Sequence, residues 1–329
     1  MKLTFKSFIT TINYEKPIYV SDKKILKNEI LDYQIYNEKN QLFANGYLQL
    51  LPHFHQTNLL DLNNFLVHFF KTYDLSFDRI DLCSPTFNII KDFNSPNLEF
   101  LYAVESIMFN ILFHHFKNAL PSIENPKIKV NALASLDQLP NQINASCLKI
   151  KIQPKFSTES LKKLDTILKQ NENLTLRLDG NRQFSANQLL EFLSKFENIS
   201  NQNKISRIEY IEEALQSPFD YDEIFKKYAI PQAIDESLEK LDSLQNIHNI
   251  SAFILKPSVL SISKCFNLIK NQKNNVSKFV ISSTYEPAQS LLEHLYLTQL
   301  SQNTYHGLGT LDFLPIKYTI LPSDFFLEF

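Results

Sequence analysis

Short apolar segments alternate with helical patterns through most of the chain, and this alternation is the feature that most restricts its fold. The segments with strand character are 128–134, 145–152, 174–179, 207–212, 229–235, 252–256 and 278–283, followed by a weaker one at 305–309. Amphipathic helical spacing separates several of them, at 158–170, 185–196, 221–228 and 288–300. Repeated units of this kind predict an α/β fold in which helices cover a parallel sheet. The pattern suits a (β/α) barrel, and by itself it also allows an open, doubly wound sheet.

The first part of the chain has a different pattern. Its β-rich stretches are separated by polar turns and predict a small antiparallel sheet, at 16–20, 32–36 and 42–51. Two helical patterns follow, at 60–71 and 97–118. We therefore expect an α+β domain over 1–127, a barrel over 128–310, and a segment over 311–329 that returns to the first domain.

Composition excludes several classes of protein. The 329 residues, 44% of them hydrophobic, can bury the core of a barrel and a smaller domain, and no apolar run has the length of a signal peptide or membrane span. A net charge of -2 gives no reason to expect nucleic acid or an anionic membrane as partner. The cysteines, Cys83, Cys147 and Cys265, form no CxxC motif, and four glycines cannot supply a dinucleotide or phosphate loop. We expect a cytoplasmic protein.

Five charged residues stand at or near the ends of consecutive predicted strands. They are Lys151, Asp179, Glu212, Asp235 and Lys256. Each has an ordinary explanation alone, as the solvated face of a sheet or as a helix cap. Because the carboxyl ends of barrel strands meet at one rim, all five would face one pocket. Three carboxylates form the oxygen ligand set that Mg²⁺ accepts, and a lysine on either side completes a site for proton transfer.

The two-residue period of a strand adds further residues to the same faces. Lys149 shares a face with Lys151, and Arg177 shares one with Asp179. The histidines are weaker candidates. For the two histidines of the segment 53–55, the sequence indicates no third metal ligand. The two histidines at 114–115 would point in different directions on a helix. We assign neither pair to a metal.

Several motifs in this order resemble the enolase superfamily. LRLDGNR at 176–182 is similar to LRLDANR, IEEA at 211–214 to (L/I)EEP, and DESL at 235–238 and LKPS at 255–258 also resemble that family's segments. Within it, VISSTYE at 280–286 and GLGTLD at 307–312 resemble motifs of the o-succinylbenzoate synthase family, and GYLQLLPHFHQT at 46–57 resembles its capping loop. The departures from the family pattern are Gln153, Gly180, Ala214 and Gly309, which concern the shape of the substrate pocket.

The resemblance implies a modified (β/α) barrel with an N-terminal α+β capping domain. It implies Mg²⁺, with Mn²⁺ as a substitute, held by Asp179, Glu212 and Asp235. Lys151 would be the base, and Lys256 would stabilise the intermediate from the opposite side. Other residues are expected to orient these groups or contact substrate: Lys149, Arg177, Asn181, Ser282 and Ser283, with 53–56 and 284 as weaker candidates.

The reaction implied is a lyase reaction, the syn-dehydration of 2-succinyl-6-hydroxy-2,4-cyclohexadiene-1-carboxylate to 2-succinylbenzoate in menaquinone biosynthesis. The partner would be this small-molecule carboxylate, and the oligomeric state stays open, with a monomer allowed. The same lysines and ligands also suit an N-acylamino acid racemase or dipeptide epimerase. A non-catalytic barrel that serves as a scaffold is the alternative from another class.

Overall fold

The computed structural model describes residues 3–20, 23–72, 95, 97–116, 120, 127–200, 202–240, 249–271, 278–301, 304–322 and 325–329. Cys83 and the last two residues of the helix predicted to end at residue 118 lie outside this part of the chain. No described helix has the length and apolar character needed to span a membrane.

The N-terminal region is an antiparallel sheet with two helices packed against it. The strands are β1 (Thr4–Val20), β2 (Lys23–Tyr36) and β3 (Leu42–Gln49), paired in that order. The helices are α1 (Leu59–Thr72) and α2 (Leu98–His115). The predicted sheet is present, but its first two strands extend well beyond the apolar stretches that indicated them. They form a long hairpin whose tip carries Tyr19 and Val20.

Seven parallel strands follow one another in sequence order in a second sheet. They are β5 (Ala132–Ser135), β6 (Cys147–Lys151), β7 (Thr175–Asp179), β8 (Ile208–Glu212), β9 (Gln232–Ile234), β10 (Ile250–Leu255) and β11 (Lys278–Ile281), after a short strand β4 (Lys127–Lys129). The helices of this region are α3 (Thr158–Gln170), α4 (Ala186–Ser200), α5 (Gln202–Ile205), α6 (Asp222–Tyr228), α7 (Pro257–Leu260), α8 (Ile262–Asn271) and α9 (Leu292–Thr298). The predicted succession of strands and helices is therefore present.

The segment at residues 304–307 closes this sheet into a barrel. On one side, the backbone N–H of Gly307 donates to the carbonyl of Ile281 at 2.8 Å. On the other side, His306 N–H donates to Lys129 O at 2.8 Å, and Asn131 N–H donates to His306 O at 3.0 Å. The barrel expectation is confirmed, and the open sheet that the sequence also allowed is wrong.

The strand predicted at 128–134 is divided in two by a change of neighbours. Its first part, β4, pairs in parallel with β12 (Phe326–Glu328), and its second part, β5, pairs with β6. Between them, Val130 bridges to His306. The C-terminal segment also meets the first sheet, since the rings of Tyr47 and Tyr318 lie 5.4 Å apart.

One hydrophobic core spans the N-terminal sheet and the second half of the barrel. Ile107 and Met108 of α2 belong to the same buried cluster as Leu260 and Leu292, which lie on barrel helices. A separate cluster lies between the first barrel strands and helices α3, α4 and α6. The division of the chain at residues 127 and 310 stays a prediction, because the buried core continues from one region into the next at these positions.

A buried carboxylate joins the two regions of the shared core. Glu105 of α2 accepts hydrogen bonds from the backbone N–H groups of Ile262 at 2.7 Å and Ser263 at 3.2 Å, at the start of α8. These N–H groups have no partner inside their own helix. Burial raises the pKa of Glu105 to about 7, although the bonds from Ser263 and Ile262 oppose the increase.

The raised pKa of Glu105 predicts a specific dependence of stability on pH. The native state binds this proton more tightly than the unfolded state, in which the pKa is near 4.5. The stabilisation is therefore complete below about pH 4.5 and is lost as the pH rises through 7, by up to roughly 3 kcal/mol. Glu105→Gln stays neutral and should lack this component of the decline, which urea unfolding between pH 5 and 8 would measure.

The matched control is Glu223→Gln, because Glu223 is an exposed carboxylate on α6. This variant should keep the wild-type pH profile. If Glu105→Gln and wild type lose stability in parallel between pH 5 and 8, the assignment of that titration to Glu105 is wrong.

Candidate active site

A pocket of about 110 Å³ opens where the carboxyl ends of the barrel strands face the N-terminal sheet. The first sheet and the loop after it cover the pocket with Tyr19, Val20, Leu51 and Phe54. The charged residues predicted at the strand ends lie on the barrel side. Of the five, Lys151, Asp179, Asp235 and Lys256 line the pocket and Glu212 does not; Lys149 lines it as well.

Strand register explains why the carboxylates are neighbours. Lys151 pairs with Asp179, and Asp179 pairs with Glu212, so one side chain of each strand end reaches the same level of the barrel. Asp235 follows the end of the next strand, β9. All three carboxylates are buried, with exposed fractions of 5% for Asp179, 2% for Glu212 and 9% for Asp235. The three carboxylates predicted from the sequence are thus buried at the ends of neighbouring strands.

Lys149 neutralises two of these carboxylates. Its Nζ lies 2.9 Å from Oδ2 of Asp179 and 2.6 Å from Oε1 of Glu212. Burial by itself would lower the pKa of Lys149, but the charges of Asp179 and Glu212 outweigh it and raise the pKa well above its usual value. Lys149 is therefore held as a cation.

The carboxylate pKa values respond unequally to this arrangement. Burial raises the pKa of Glu212 despite the charge of Lys149, and the neighbouring Asp179 adds to the increase. For Asp179, burial acts in the same direction, but Lys149 and Lys151 outweigh it and lower the pKa. Negative charge is therefore best stabilised at Asp179.

Lys256 stands at the opposite side of the pocket and pairs with Asp235. Burial would lower the pKa of Lys256, but the charges of Asp235 and Glu236 raise it. Its Nζ also lies 4.9 Å from the centre of the Phe54 ring, a cation–π contact with the covering loop. Burial raises the pKa of Asp235 to about 6, with Lys256 acting against the increase.

Lys151 differs from the other two lysines in its partners. Its Nζ donates to the backbone carbonyl of Tyr19 at 3.3 Å, at the tip of the hairpin formed by β1 and β2. Among the described residues its ammonium forms no ion pair. Lys151 and Lys256 thus face the pocket from different strands, with the carboxylate-bearing strands between them.

The carboxylates fit a hard divalent cation by their chemistry. In the described part of the chain, no three carboxylate, imidazole or thiol groups already stand together as a metal site. The Lys149 ammonium instead bridges Asp179 and Glu212, and Glu212 Oε2 is buried without a hydrogen-bond partner. An oxygen donor set with a buried, unpartnered oxygen suits Mg²⁺.

Glu213 holds the strand end that carries Asp235, a role that the sequence did not reveal. Its carboxylate accepts from the backbone N–H of Asp235 at 2.7 Å and of Ser237 at 3.1 Å, and from Arg182. Its own backbone is in the left-handed region, with φ of 31°. The doubled glutamate at 212–213 was the available signal, since consecutive residues of a strand point to opposite faces and cannot both face the pocket.

The remaining predicted contacts lie at the same rim. Asn181 lines the pocket, and its backbone N–H donates to Asp179 Oδ1 at 3.3 Å. Ser282 and Ser283 also line the pocket, and their hydroxyls donate to Gly307 O at 3.4 and 3.3 Å. These three residues are thus positioned to contact a bound molecule.

Close backbone contacts explain two of the departures from the family pattern, Gly180 and Gly309. A Cβ added to Gly180 would lie 2.6 Å from Cα and 2.5 Å from Cβ of Ala214, so the backbones approach too closely for a larger residue. Gly309 is restricted in a similar way, because its added Cβ would lie 2.6 Å from the carbonyl oxygen of Asn131. The structure gives no special role to Gln153, which is exposed.

The prediction that Arg177 orients Lys151 or a carboxylate ligand needs correction. Arg177 is fully buried and pairs with Glu209 at 2.7 Å, and it donates to the carbonyl of Tyr305 at 2.7 Å. It lies two residues before Asp179 on β7, and it does not line the pocket. The two-residue period of the strand predicted correctly which face carries Arg177, but not how far from the pocket the side chain lies. Its contacts instead stabilise the barrel interior near the closing segment.

The segment 53–56 contributes one side chain to the pocket, Phe54. The His55 ring accepts from the backbone N–H of Leu51 at 2.7 Å, and His53 lies 3.2 Å from Lys23. Sequence reasoning missed several lining residues because only the folded chain brings them to the pocket: Tyr19, Val20, Leu51, Asn131, Leu133, Glu236, Tyr285 and Thr310.

Comparison with known proteins gives a consistent set of relatives. No protein-family model matches the chain. An o-succinylbenzoate synthase of Aliivibrio salmonicida is 24% identical over 327 residues, which cover 95% of this chain and 92% of that protein.

Solved structures share the fold over nearly the whole chain. The o-succinylbenzoate synthase of Thermosynechococcus elongatus, complexed with magnesium in its active site, has a TM-score of 0.66 at 15% identity and covers 97% of this chain and 96% of its own. A dipeptide epimerase of Enterococcus faecalis, complexed with magnesium and a dipeptide, has a TM-score of 0.73 at 12% identity and covers 95% and 92%. The chain therefore shares the fold of these enzymes, and it is similar in sequence to o-succinylbenzoate synthases.

Proposed function

We propose that this chain is an o-succinylbenzoate synthase, a lyase that converts 2-succinyl-6-hydroxy-2,4-cyclohexadiene-1-carboxylate to 2-succinylbenzoate in menaquinone biosynthesis. The observation that carries the proposal is the placement of Lys151 and Lys256 on different sides of one pocket, beside three buried carboxylates. The sequence relationship over nearly the full length of a curated synthase supports it. The partner is a small carboxylate, and the cytoplasm is the proposed location.

Asp179, Glu212 and Asp235 are the residues that would hold Mg²⁺, and Mn²⁺ would substitute for it. When bound, the ion supplies positive charge that attracts the substrate carboxylate and stabilises the negative charge that develops on it. The unpartnered oxygen of Glu212 supports this assignment, because a buried carboxylate oxygen is stabilised when it gains a ligand.

Lys151 is the residue that we assign as the base. It removes the proton from the carbon that carries the carboxylate, and the resulting ammonium returns that proton to the departing hydroxyl on the adjacent carbon. The C–H and C–O bonds break, a ring C=C bond forms, and the products are water and the aromatic ring. Lys149 is unsuited to this role, because Asp179 and Glu212 hold it as a cation.

Lys256 is proposed to act through its charge. Asp235 and Glu236 raise its pKa against the effect of burial, so it stays protonated through the reaction. From its side of the pocket it would attract the electron-rich intermediate. The hairpin tip with Tyr19 and the loop with Phe54 contact the two lysines, and they would shield the reacting carbon from water.

A dipeptide epimerase is the second candidate. The structural similarity to the Enterococcus faecalis epimerase favours it, and two lysines on different sides of a site also suit proton removal from one face and return to the other. Incubation with each substrate would separate the two functions. Aromatic product formation is followed by ultraviolet absorbance, and epimerisation by proton exchange in deuterated solvent.

Lys151→Ala should reduce the rate of dehydration by about 10²–10⁴-fold, because it removes the proposed base. The fold should persist, since Lys151 lies at the end of a strand and its ammonium has only one described hydrogen bond, to Tyr19. Turnover is measured with Mg²⁺ present, and the thermal midpoint confirms folding.

Lys155→Ala is the matched control, because Lys155 is an exposed lysine in the loop after the same strand. It should keep the wild-type rate. A folded Lys151→Ala enzyme with nearly wild-type turnover would exclude Lys151 as the base.

Asp179→Asn should raise the Mg²⁺ concentration that gives half-maximal activity by at least about tenfold, because one anionic ligand becomes neutral. The measurement is a Mg²⁺ titration of the rate, starting from chelated enzyme. Asp220→Asn alters an exposed carboxylate away from the pocket and should leave the titration unchanged. Activity that survives complete chelation would show that the metal assignment is wrong.

A further inference from the structure

One wall of the pocket has an unfavourable backbone conformation. Tyr285 lines the pocket directly after the segment 282–284, and its φ is 66°, in the left-handed region. A residue with a bulky side chain rarely adopts this region unless the surrounding structure holds it there. The contacts that hold Tyr285 therefore help to set the shape of the pocket.

A side chain from the first sheet supplies two of these contacts. Gln49 lies at the end of β3, and its Nε2 donates to the backbone carbonyl of Thr284 at 3.2 Å and to that of Tyr285 at 3.0 Å. The same amide lies 3.3 Å from the hydroxyl of Tyr14. Gln49 is only 1% exposed, so water does not replace these partners.

Other groups fix the same wall from the barrel and the C-terminal segment. Glu286 accepts from the backbone N–H and the hydroxyl of Thr284, and that hydroxyl lies 3.0 Å from Ser258 Oγ. The ring of Tyr285 meets Phe313 edge-on at 5.3 Å. Residues that are far apart in the sequence thus converge on two consecutive residues of the pocket wall.

A buried amide needs partners of this kind. An apolar side chain could fill the position of Gln49, whereas a buried amide is costly unless its donors are bonded. The described acceptors of its Nε2 are the Tyr14 hydroxyl and the carbonyls of the pocket wall. The wall therefore accounts for the donor atoms of Gln49, while its Oε1 is buried without a hydrogen-bond partner among the described residues.

We infer that Gln49 is a positioning residue of the first sheet that sets substrate affinity by holding Thr284 and Tyr285 in place. Lys151 and the carboxylates lie on other strands, so we expect this contact to act on substrate binding and not on the chemical step. Only the kinetic readout of the inference rests on the proposed function.

The test uses Gln49→Met, which keeps the shape of the side chain and removes its donors. Loss of two hydrogen bonds at the wall should raise KM about tenfold and change kcat by less than about threefold. Hydrogen–deuterium exchange of the peptide covering 282–290 should become faster. Gln49→Asn, whose shorter amide cannot reach both carbonyls, provides a second variant that should change KM in the same direction if Gln49→Met does not fold.

Asn110→Leu is the matched control. Asn110 is also a buried amide, but its Nδ2 donates to the Tyr33 hydroxyl at 2.7 Å and to the carbonyl of Asn45 at 2.8 Å, away from the pocket. This variant should lose stability without altering KM or exchange at 282–290.

The outcomes separate the two proposals. Wild-type enzyme that does not dehydrate the substrate contradicts the proposed function, while the exchange comparison still tests Gln49. If wild type is active and Gln49→Met has an unchanged KM, or if Asn110→Leu produces the same changes, the positioning role of Gln49 is wrong.

Discussion

Three buried carboxylates and two ammonium groups occupy a small volume at the rim of the barrel, and their mutual neutralisation is the interaction on which the site depends. Each carboxylate would be costly to bury alone. Lys149 compensates Asp179 and Glu212, and Lys256 compensates Asp235. The remaining imbalance of charge is reflected in the raised pKa of Glu212 and in its unpartnered oxygen. A bound cation would lower this pKa and provide a partner for the oxygen.

The two lysines of β6 also have different partners. Lys149 and Lys151 lie on one face of one strand, yet only Lys149 is locked between carboxylates. Lys151 contacts a backbone carbonyl of the covering hairpin instead. A difference of two residues along β6 therefore separates a lysine that neutralises two carboxylates from the lysine that we propose as the base.

Much of this site could be predicted from the sequence, because parallel strands and their carboxyl ends follow from simple periodicity. Asp179, Glu212 and Asp235 were identified in this way, and so were Lys151 and Lys256 as pocket residues. Depth along a strand is harder to predict. Arg177 shares its face with Asp179 but lies one layer deeper, among the groups that close the barrel.

Contacts between distant segments could not be predicted at all. The placement of Tyr19 and Phe54 over the two lysines depends on how the first sheet packs against the barrel, which no local pattern encodes. The first two strands were also underestimated, because the polar residues of 23–29 gave little β signal and pair only through the hairpin. Glu213 was overlooked because its partners are backbone N–H groups of a later strand end.

The seam of the barrel has a consequence for the order in which the protein can assemble during synthesis. The closing segment at 304–307 joins β11 to residues 129–131, and β12, at 326–328, lies along β4 beside it. A ribosome delivers the chain from its N-terminus, and contacts between distant residues form late. The earlier strands therefore keep an open edge during synthesis, and the barrel can close only after residue 307 has left the ribosomal tunnel.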